Sequence, residues 1–473
     1  MIEGVIHMIQ LFQAVYRLFW GDLVTLPLPG GGTVGISLLV LILIPSGIYF
    51  TLRTRFLPFR LFPEMLRITV EKKSSSDKNS ISGLQALIVS TATRVGMGNL
   101  VGVVAAISAG GAGAVFWMWI TALLGSSTAF AEATLAQLYK EKDPLYGGYR
   151  GGPAYYIHRL FIKEGSAGKR SVTASLFALS GLICWCGISQ VIGNSVSSAF
   201  ENAFSIPPLY TTILLVLISA VIVLRKYATI RVLDVIVPLM AGVYFLLTIF
   251  IIVKNAGQLP AVFQRIFSEA FGLRQAAAGG FGAVLMNGAK RGLFSNEAGS
   301  GSAPCAAAAA DIDHPAKEGL LQSFGVFIDT IVICSCTAMI LLLVPDNLTL
   351  GLQGMDLLQA AMQYHLGNFG VIFIAVILWL FSFSTFIGIL FYARSNVAYL
   401  FGDNWLSQTL YKLLALAMLF IGGLAAYTFV WDLGDIGIAL MTIFNMAALI
   451  PLSGQALHAL KDYETSMRQR RQK

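Results

Sequence analysis

About eleven stretches of this chain are long, apolar and nearly free of charge, and that pattern leaves few folds open. The first, VGISLLVLILIPSGIYFTL, covers residues 34–52. A helix needs about 20 predominantly apolar residues to cross the hydrocarbon core of a bilayer. Inside that core the backbone must satisfy its own N–H and C=O groups, which a helix does within one segment. The other runs lie near 82–108, 112–139, 173–203, 208–224, 229–253, 281–310, 317–344, 368–398, 408–427 and 430–452. Charged residues make up 12% of the 473-residue chain, half the roughly 25% of soluble domains. The expectation is an all-α integral membrane protein of about eleven transmembrane helices.

The formal charge of +8 suggests nucleic acid only until the basic residues are located. They stand in short loops between apolar runs, where topology accounts for them. Alternation places the basic stretches around Arg53–Lys78, Lys140–Arg170, Arg225–Arg231, Lys317, Arg394–Lys412 and Lys461–Lys473 on one side. The other side holds only Arg17, Lys254, Arg265 and Arg274. The asymmetry predicts an outside N-terminus and a cytoplasmic C-terminus. Residues 1–20 are amphipathic and carry no cleavable signal pattern, so insertion is expected to start from a retained helix. Cys184/Cys186 and Cys334/Cys336 are spaced for two faces of a helix and not for zinc, and the histidines form no ligand pair.

Two runs do not read as ordinary spans. One contains Thr91-Ala-Thr-Arg-Val-Gly-Met-Gly-Asn99, the other Lys290-Arg-Gly-Leu-Phe-Ser-Asn-Glu-Ala-Gly-Ser-Gly-Ser302. Each puts glycine, polar groups and charge near mid-bilayer, where an Arg costs about 2.5–3.5 kcal/mol on insertion scales. Irregular backbone at that depth survives only inside protein or beside a watery cavity. Broken helix ends leave free N–H and C=O groups that can hold a carboxylate, an ammonium or a cation. Both breaks read Arg, four residues, then Asn (Arg94 to Asn99, Arg291 to Asn296), followed by a small-residue helix. Their expected directions are opposite, as an inverted five-plus-five repeat requires. The implied organisation is an N-terminal segment with an extra helix over 1–80 and a first repeat over 81–255. An external amphipathic segment over 256–280, a second repeat over 281–455 and a basic tail over 456–473 follow. Small residues beside the breaks also suit close packing alone. Arg291 and Glu297 could neutralise one another, and Arg94 needs a carboxylate such as Glu297 or a cavity.

The runs GMGNLVGVVAAISAGGAGAVFWMWITALLGSSTAFAEATLAQLY and NGAKRGLFSNEAGSGSAPCAAAAA resemble the alanine or glycine:cation symporter family, the sodium:alanine symporters. The resemblance implies a LeuT-type fold in a bacterial inner membrane, Na+ as coupling ion and no cofactor. It implies alanine or glycine as substrate, with glutamine handled by some members. A weaker similarity extends to the neurotransmitter:sodium symporters through Gly96-Met97-Gly98-Asn99. It makes Gly96, Met97 and Gly98 carboxylate contacts and Asn99 a cation ligand. Ser384 and Thr385, with carbonyls near Ala92 and Val95, become a second cation site. Paired hydroxyls in the apolar run LWLFSFSTFIGILF fit that role, since hard cations prefer oxygen. They also fit bonding back to their own helix.

Carbonyls near Phe294, Ser295 and Asn296 would face the substrate ammonium, with Phe294, Met97 and Trp379 as pocket walls. Gln190 and Asn194 share a helix face that lines the pocket in that superfamily, or bond a neighbouring helix. Asp329 is a further cation-ligand candidate. Arg94 has no counterpart in the neurotransmitter symporters; with Arg291 and Glu297 it is a structural or gating candidate, and Glu132 and Asp234 are gate or packing residues. The rival on the same fold is a proton-coupled or uncoupled permease, with Asp329 or Glu132 protonated. No repeated pore loop points to a channel, and no nucleophile elbow or His-Glu-x-x-His motif points to an enzyme.

Overall fold

The computed structural model describes residues 13–27, 33–71, 81–162, 170–225, 229–271 and 280–472. Two short hairpins aside, the regular structure among the described residues is helical. The first hairpin pairs Val24–Pro27 with Thr33–Ile36 and leads into α1 (Leu38–Arg53), whose N-cap Ser37 accepts from the Val40 amide. Next come α2 (Gly83–Arg94), opened by a Ser82/Gln85 capping box, and α3 (Val103–Gly110) beyond the first break. They are followed by α4 (Gly113–Leu138), α5 (Val172–Phe204), α6 (Pro208–Val223) and α7 (Thr229–Lys254). The expected external segment holds α8 (Leu259–Ala270), while its residues 272–279 lie outside the described ones. The second half holds α9 (Gly280–Asn296), α10 (Pro315–Val326) continued by α11 (Ser335–Leu342), α12 (Asn368–Phe401), α13 (Trp405–Leu424) and α14 (Tyr427–Gln472).

Among the described residues, seven helices are long and apolar enough to cross a membrane, or eight if the bent pair α2–α3 counts as one span. Helices also stand at the other expected runs, but α1 and α6 have 16 residues and α9 has 17. At 1.5 Å per residue, 16 residues reach about 24 Å against a core of about 30 Å. The run expected as one span over 281–310 ends as a helix at Asn296, and only one further turn, Pro304–Ala307, follows. The five cysteines are free and buried, and no group of His, Cys, Asp or Glu among the described residues could hold a metal.

Ion pairs gather the basic segments at one end of the bundle. Arg60 meets Glu464 at 2.7 Å, Lys317 meets Asp313 at 2.8 Å and also Glu71, and Arg150 meets Asp403. At the opposite end Arg265 bridges Glu269 and Asp346 at 2.8 and 2.7 Å. The alternation of basic loops assigns the first set of segments to one side of a membrane and the second to the other. Several of the basic residues counted there, among them Lys72, Lys78, Lys163, Lys226 and Arg274, lie outside the described residues, as does the Asp234 side chain.

α5 is the centre of the packing. It is 33 residues long, and its flanks meet α13 and α14 at glycines. A side chain on Gly422 of α13 would overlap the Gln190 backbone, and one on Gly187 would overlap Gly434 of α14. Without a hydrophobic force between helices in lipid, such close approach is the main source of association. Gly422→Val is expected to destabilise the purified protein by about 1–3 kcal/mol. A lowered thermal unfolding midpoint in detergent is the readout, and an unchanged midpoint would contradict the contact.

Candidate functional site

The first break is a turn tied by its own side chains. α2 ends at Arg94, and the Gly96 amide reaches back to the Arg94 carbonyl at 2.8 Å. A β-carbon on Gly96 would overlap Thr385 Oγ1, so only glycine fits. The Gly96 amide also donates to Asn99 Oδ1 at 2.9 Å, and the Met97 amide lies 3.4 Å from Thr385 Oγ1. Gly98–Gly102 is then wound as a π-helix before α3, and the two arms of the break bend by 46°. π-Turns inside α-helices are frequent at functional sites.

A second π-helical stretch, Phe327–Cys334 between α10 and α11, faces the first. It carries Asp329, fully buried, on which three side chains converge. Asn99 Nδ2 donates to Asp329 Oδ1 at 2.7 Å, Ser295 Oγ to Oδ2 at 2.9 Å and Thr330 Oγ1 to Oδ2 at 2.6 Å. Asn99 belongs to the first break and Ser295 to the second, so one carboxylate joins both. The breaks touch directly as well: a β-carbon on Gly98 would stand 3.3 Å from Ser295 Cα and 3.6 Å from the Phe294 carbonyl.

The hydroxyl pair of α12 bonds back to its own helix and also faces α2. Ser384 and Thr385 each donate to the Phe381 carbonyl at 2.9 Å, and each lies within reach of the Ala92 carbonyl, at 3.4 and 3.3 Å. Three oxygens from α12 and α2 are thereby brought together beside the first break. Val95, also buried, gives its amide to Thr91 at 2.6 Å.

Other candidates are placed differently from the expectation. Arg291 does not meet Glu297; it pairs with Asp435 of α14 at 3.2 Å, beside Lys290 on the same carboxylate, and stacks over Trp431 at 4.2 Å. Glu297 has a left-handed backbone, φ +58°, and accepts from Tyr392 at 3.3 Å and Thr93 at 3.4 Å. Arg94 hydrogen-bonds not to a carboxylate but to Gln322, whose backbone and side-chain oxygens each lie 3.2 Å from Nη1. Gln190 and Asn194 spend their donors on α13 and the residue after it, at Met418 Sδ (3.3 Å) and the Ala425 carbonyl (2.7 Å). Of the expected pocket walls, Phe294 packs on Trp431 and Trp379 on Phe200 of α5. Asn296 Oδ1 caps the Ala298 amide at 3.0 Å.

Glu132 does more than its position suggested. From α4 it accepts the Gly299 and Gly301 amides at 3.0 Å each and the Asn445 side chain, which also bonds the Gly299 carbonyl at 2.9 Å. It clamps the irregular segment after α9, where Gly299 and Gly301 have φ of +91° and +81°. The signal was available, because a loop inside a bundle needs acceptors for its amides and Glu132 stands in an apolar run. Asp435 was missed altogether, although an acidic residue inside the last span asks for a partner. Glu132→Ala strands two amides at about 1–3 kcal/mol each and is expected to lower the thermal midpoint clearly. Glu132→Gln, which keeps one acceptor oxygen, should lose less; equal losses would refute the clamp.

The chain matches the family model of the sodium:alanine symporter family over residues 31–473. It is 43% identical over 428 residues to the "Probable sodium/glutamine symporter GlnT" of Bacillus subtilis, covering 90% of this chain and 88% of that one. With the "Sodium/alanine symporter AgcS" of Methanococcus maripaludis it shares 34% over 430 residues, 90% and 94% of the two chains. A manganese transporter of Eremococcus coleocola has a similar fold, with TM-score 0.50 at 15% identity over 82% of this chain and 81% of that one. A family match over nearly the whole chain, two relatives of full length and membrane-length helices broken at a buried polar centre agree: the chain belongs to the sodium:alanine symporter family, cation-coupled membrane transporters of amino acids.

Proposed function

We propose that this protein is a sodium-coupled symporter that brings a small neutral amino acid, alanine or glycine and by extension glutamine, into the cell. The observation that carries the proposal is the way both broken segments meet on the Asp329 carboxylate through Asn99 and Ser295. A buried carboxylate among neutral donors, linked through Asn99 and the first break to the Ser384, Thr385 and Ala92 oxygens, would offer a hard cation charge and ligands together. The names of the two relatives, each a sodium symporter of an amino acid, support the ion and the substrate class.

The hydrogen bonds of the first break suggest how coupling works. The amides suited to a substrate carboxylate, those of Gly96 and Met97, lie against Asn99 Oδ1 and Thr385 Oγ1. These two oxygens are also the candidate cation ligands. Na+ that takes Asn99 Oδ1 and Thr385 Oγ1 frees both amides, and the carboxylate can then dock on them. The ammonium is left to the carbonyls at Phe294–Asn296. Substrate thus binds well only after the cation, as symport requires. The membrane potential adds about 2.3 kcal/mol per charge moved through 100 mV.

This reading includes eleven spans arranged as an inverted five-plus-five repeat of LeuT type behind the extra helix α1. Short α1, α6 and α9 then cross where the bilayer thins locally or flanking loops complete the span. The N-terminus lies outside and the basic end in the cytoplasm of a bacterial cell. No covalent chemistry and no cofactor are needed.

In proteoliposomes, radiolabelled alanine is expected to accumulate with an inward Na+ gradient and not with K+ in its place. Asn99→Ala and Thr385→Ala should each raise the Na+ concentration for half-maximal uptake by about tenfold, the loss of roughly 1.4 kcal/mol of ligation. Uptake indifferent to Na+ would reject the coupling ion and transfer the role to a proton on Asp329.

A further inference from the structure

Three buried carboxylates near the breaks have full sets of partners: Asp329, Glu132 and Glu297. A fourth does not. Glu318, in the first turn of α10, has no exposed surface. Its Oε1 accepts from Gln322 Nε2 at 2.8 Å, and its Oε2 has no hydrogen-bond partner. No lysine or arginine forms an ion pair with it among the described residues. Arg94 reaches it only through Gln322, and the Arg94 Nε is itself unpartnered.

We propose that Glu318 is a proton-binding site, separate from the cation cluster at Asp329 and linked to the first break through Gln322 and Arg94. An ionised carboxylate presents about four acceptor positions, and here one is used. Burying such a charge without a partner is far more costly than burying an acid with one idle oxygen. Against this, Arg94 at the end of α2 and Lys140 beyond α4 both attract the anion. The N-terminal field of α10 acts in the same direction. Burial and field oppose one another, which is the condition for a group that changes state.

The other ionisable groups on the elements packed around α10 are already engaged. Lys317 pairs with Glu71 and Asp313, His314 with Asp462, and Glu64 with Arg67 and Tyr463. Glu132 and Asp329 hold the partners described above. A path for the proton is short. Glu318 Oε2 lies 3.3 Å from the point where a β-carbon on Gly83 would stand, and Gly83 also lines a surface pocket at the basic end with Ser82, Asp311, Asp313, Lys317 and Leu321. The proton passes between Glu318 and water in that pocket. Once ionised, Glu318 draws on its nearest donors, the Gln322 amide and, behind it, Arg94. Arg94 is the last residue of α2, so its position sets the turn that presents Ala92 and Gly96. This last link rests on the transporter reading; proton binding does not.

The test is infrared spectroscopy of the purified full-length protein, wild type minus Glu318→Gln, at neutral pH. A deuterium-sensitive carbonyl stretch of a protonated carboxyl is expected in wild type, absent from the variant and lost as pH is raised. No difference band would overturn the proposal. Should that variant not fold, Gln322→Leu removes the one hydrogen bond that the Glu318 carboxylate accepts among the described residues and must shift the band; an unmoved band overturns the proposal equally. The link to transport is read from alanine exchange at equal Na+ on both sides. Wild-type exchange should change over the pH range in which the band is lost, and Glu318→Gln should be flat there. A variant that keeps the wild-type pH profile overturns the link. A wild type that moves no alanine rejects the transporter reading instead, while the infrared result still decides the proton site.

Discussion

One buried carboxylate organises the centre of this molecule. Asp329 accepts from Asn99 in the first broken helix and from Ser295 in the second, so two segments far apart in sequence are held at one point. Neither break could keep its shape alone, because irregular backbone inside a bundle must find partners elsewhere. The first is closed by its own Asn99 and leans on Thr385; the second hangs from Glu132 across three amide and side-chain donors. Removing water from such a centre strengthens every one of these interactions and raises the cost of leaving any unmade.

The two glycine-rich breaks were legible because glycine, Arg and Asn in the middle of apolar runs conflict with a continuous helix, and the conflict is local. The Ser384–Thr385 pair was legible for a similar reason, and the structure brings it to Ala92 as the resemblance implied. Partner choice was not legible. Arg291 sits six residues from Glu297 but pairs with Asp435, 144 residues away, since helix phase turns the two side chains to different neighbours. Gln190 and Asn194 do share a face, as their spacing requires, but spacing does not say which helix that face meets. It meets α13, where Gly422 lets the backbones come close. Helix lengths also escaped the sequence, because an apolar run continues through loops and caps that end a helix early, as at Asn296.

Charge is sorted by depth as well as by side. Lys290, Arg291 and Asp435 form a cluster roofed by Trp20 and Tyr16 from the N-terminal segment; the Trp20 indole donates to the Asp435 carbonyl at 3.0 Å, and Lys290 lies over both rings. Arg94 sits apart from that cluster, next to Gln322, and is the cation whose field reaches Glu132, Glu297, Glu318 and Asp329. At Glu318 the Lys140 ammonium adds to that field.

The glycine contacts of α5 carry a mechanical consequence. Where two backbones touch with no side chain between them, there is no layer that can slide or re-pack, so the helices share one trajectory. α5, α13 and α14 therefore form a stator, a single stiff body. The irregular stretch after Asn296 is held differently, by the Glu132 carboxylate and the Asn445 side chain. A load on that stretch would be borne by a few side-chain hydrogen bonds, while the stator would keep its three helices in register.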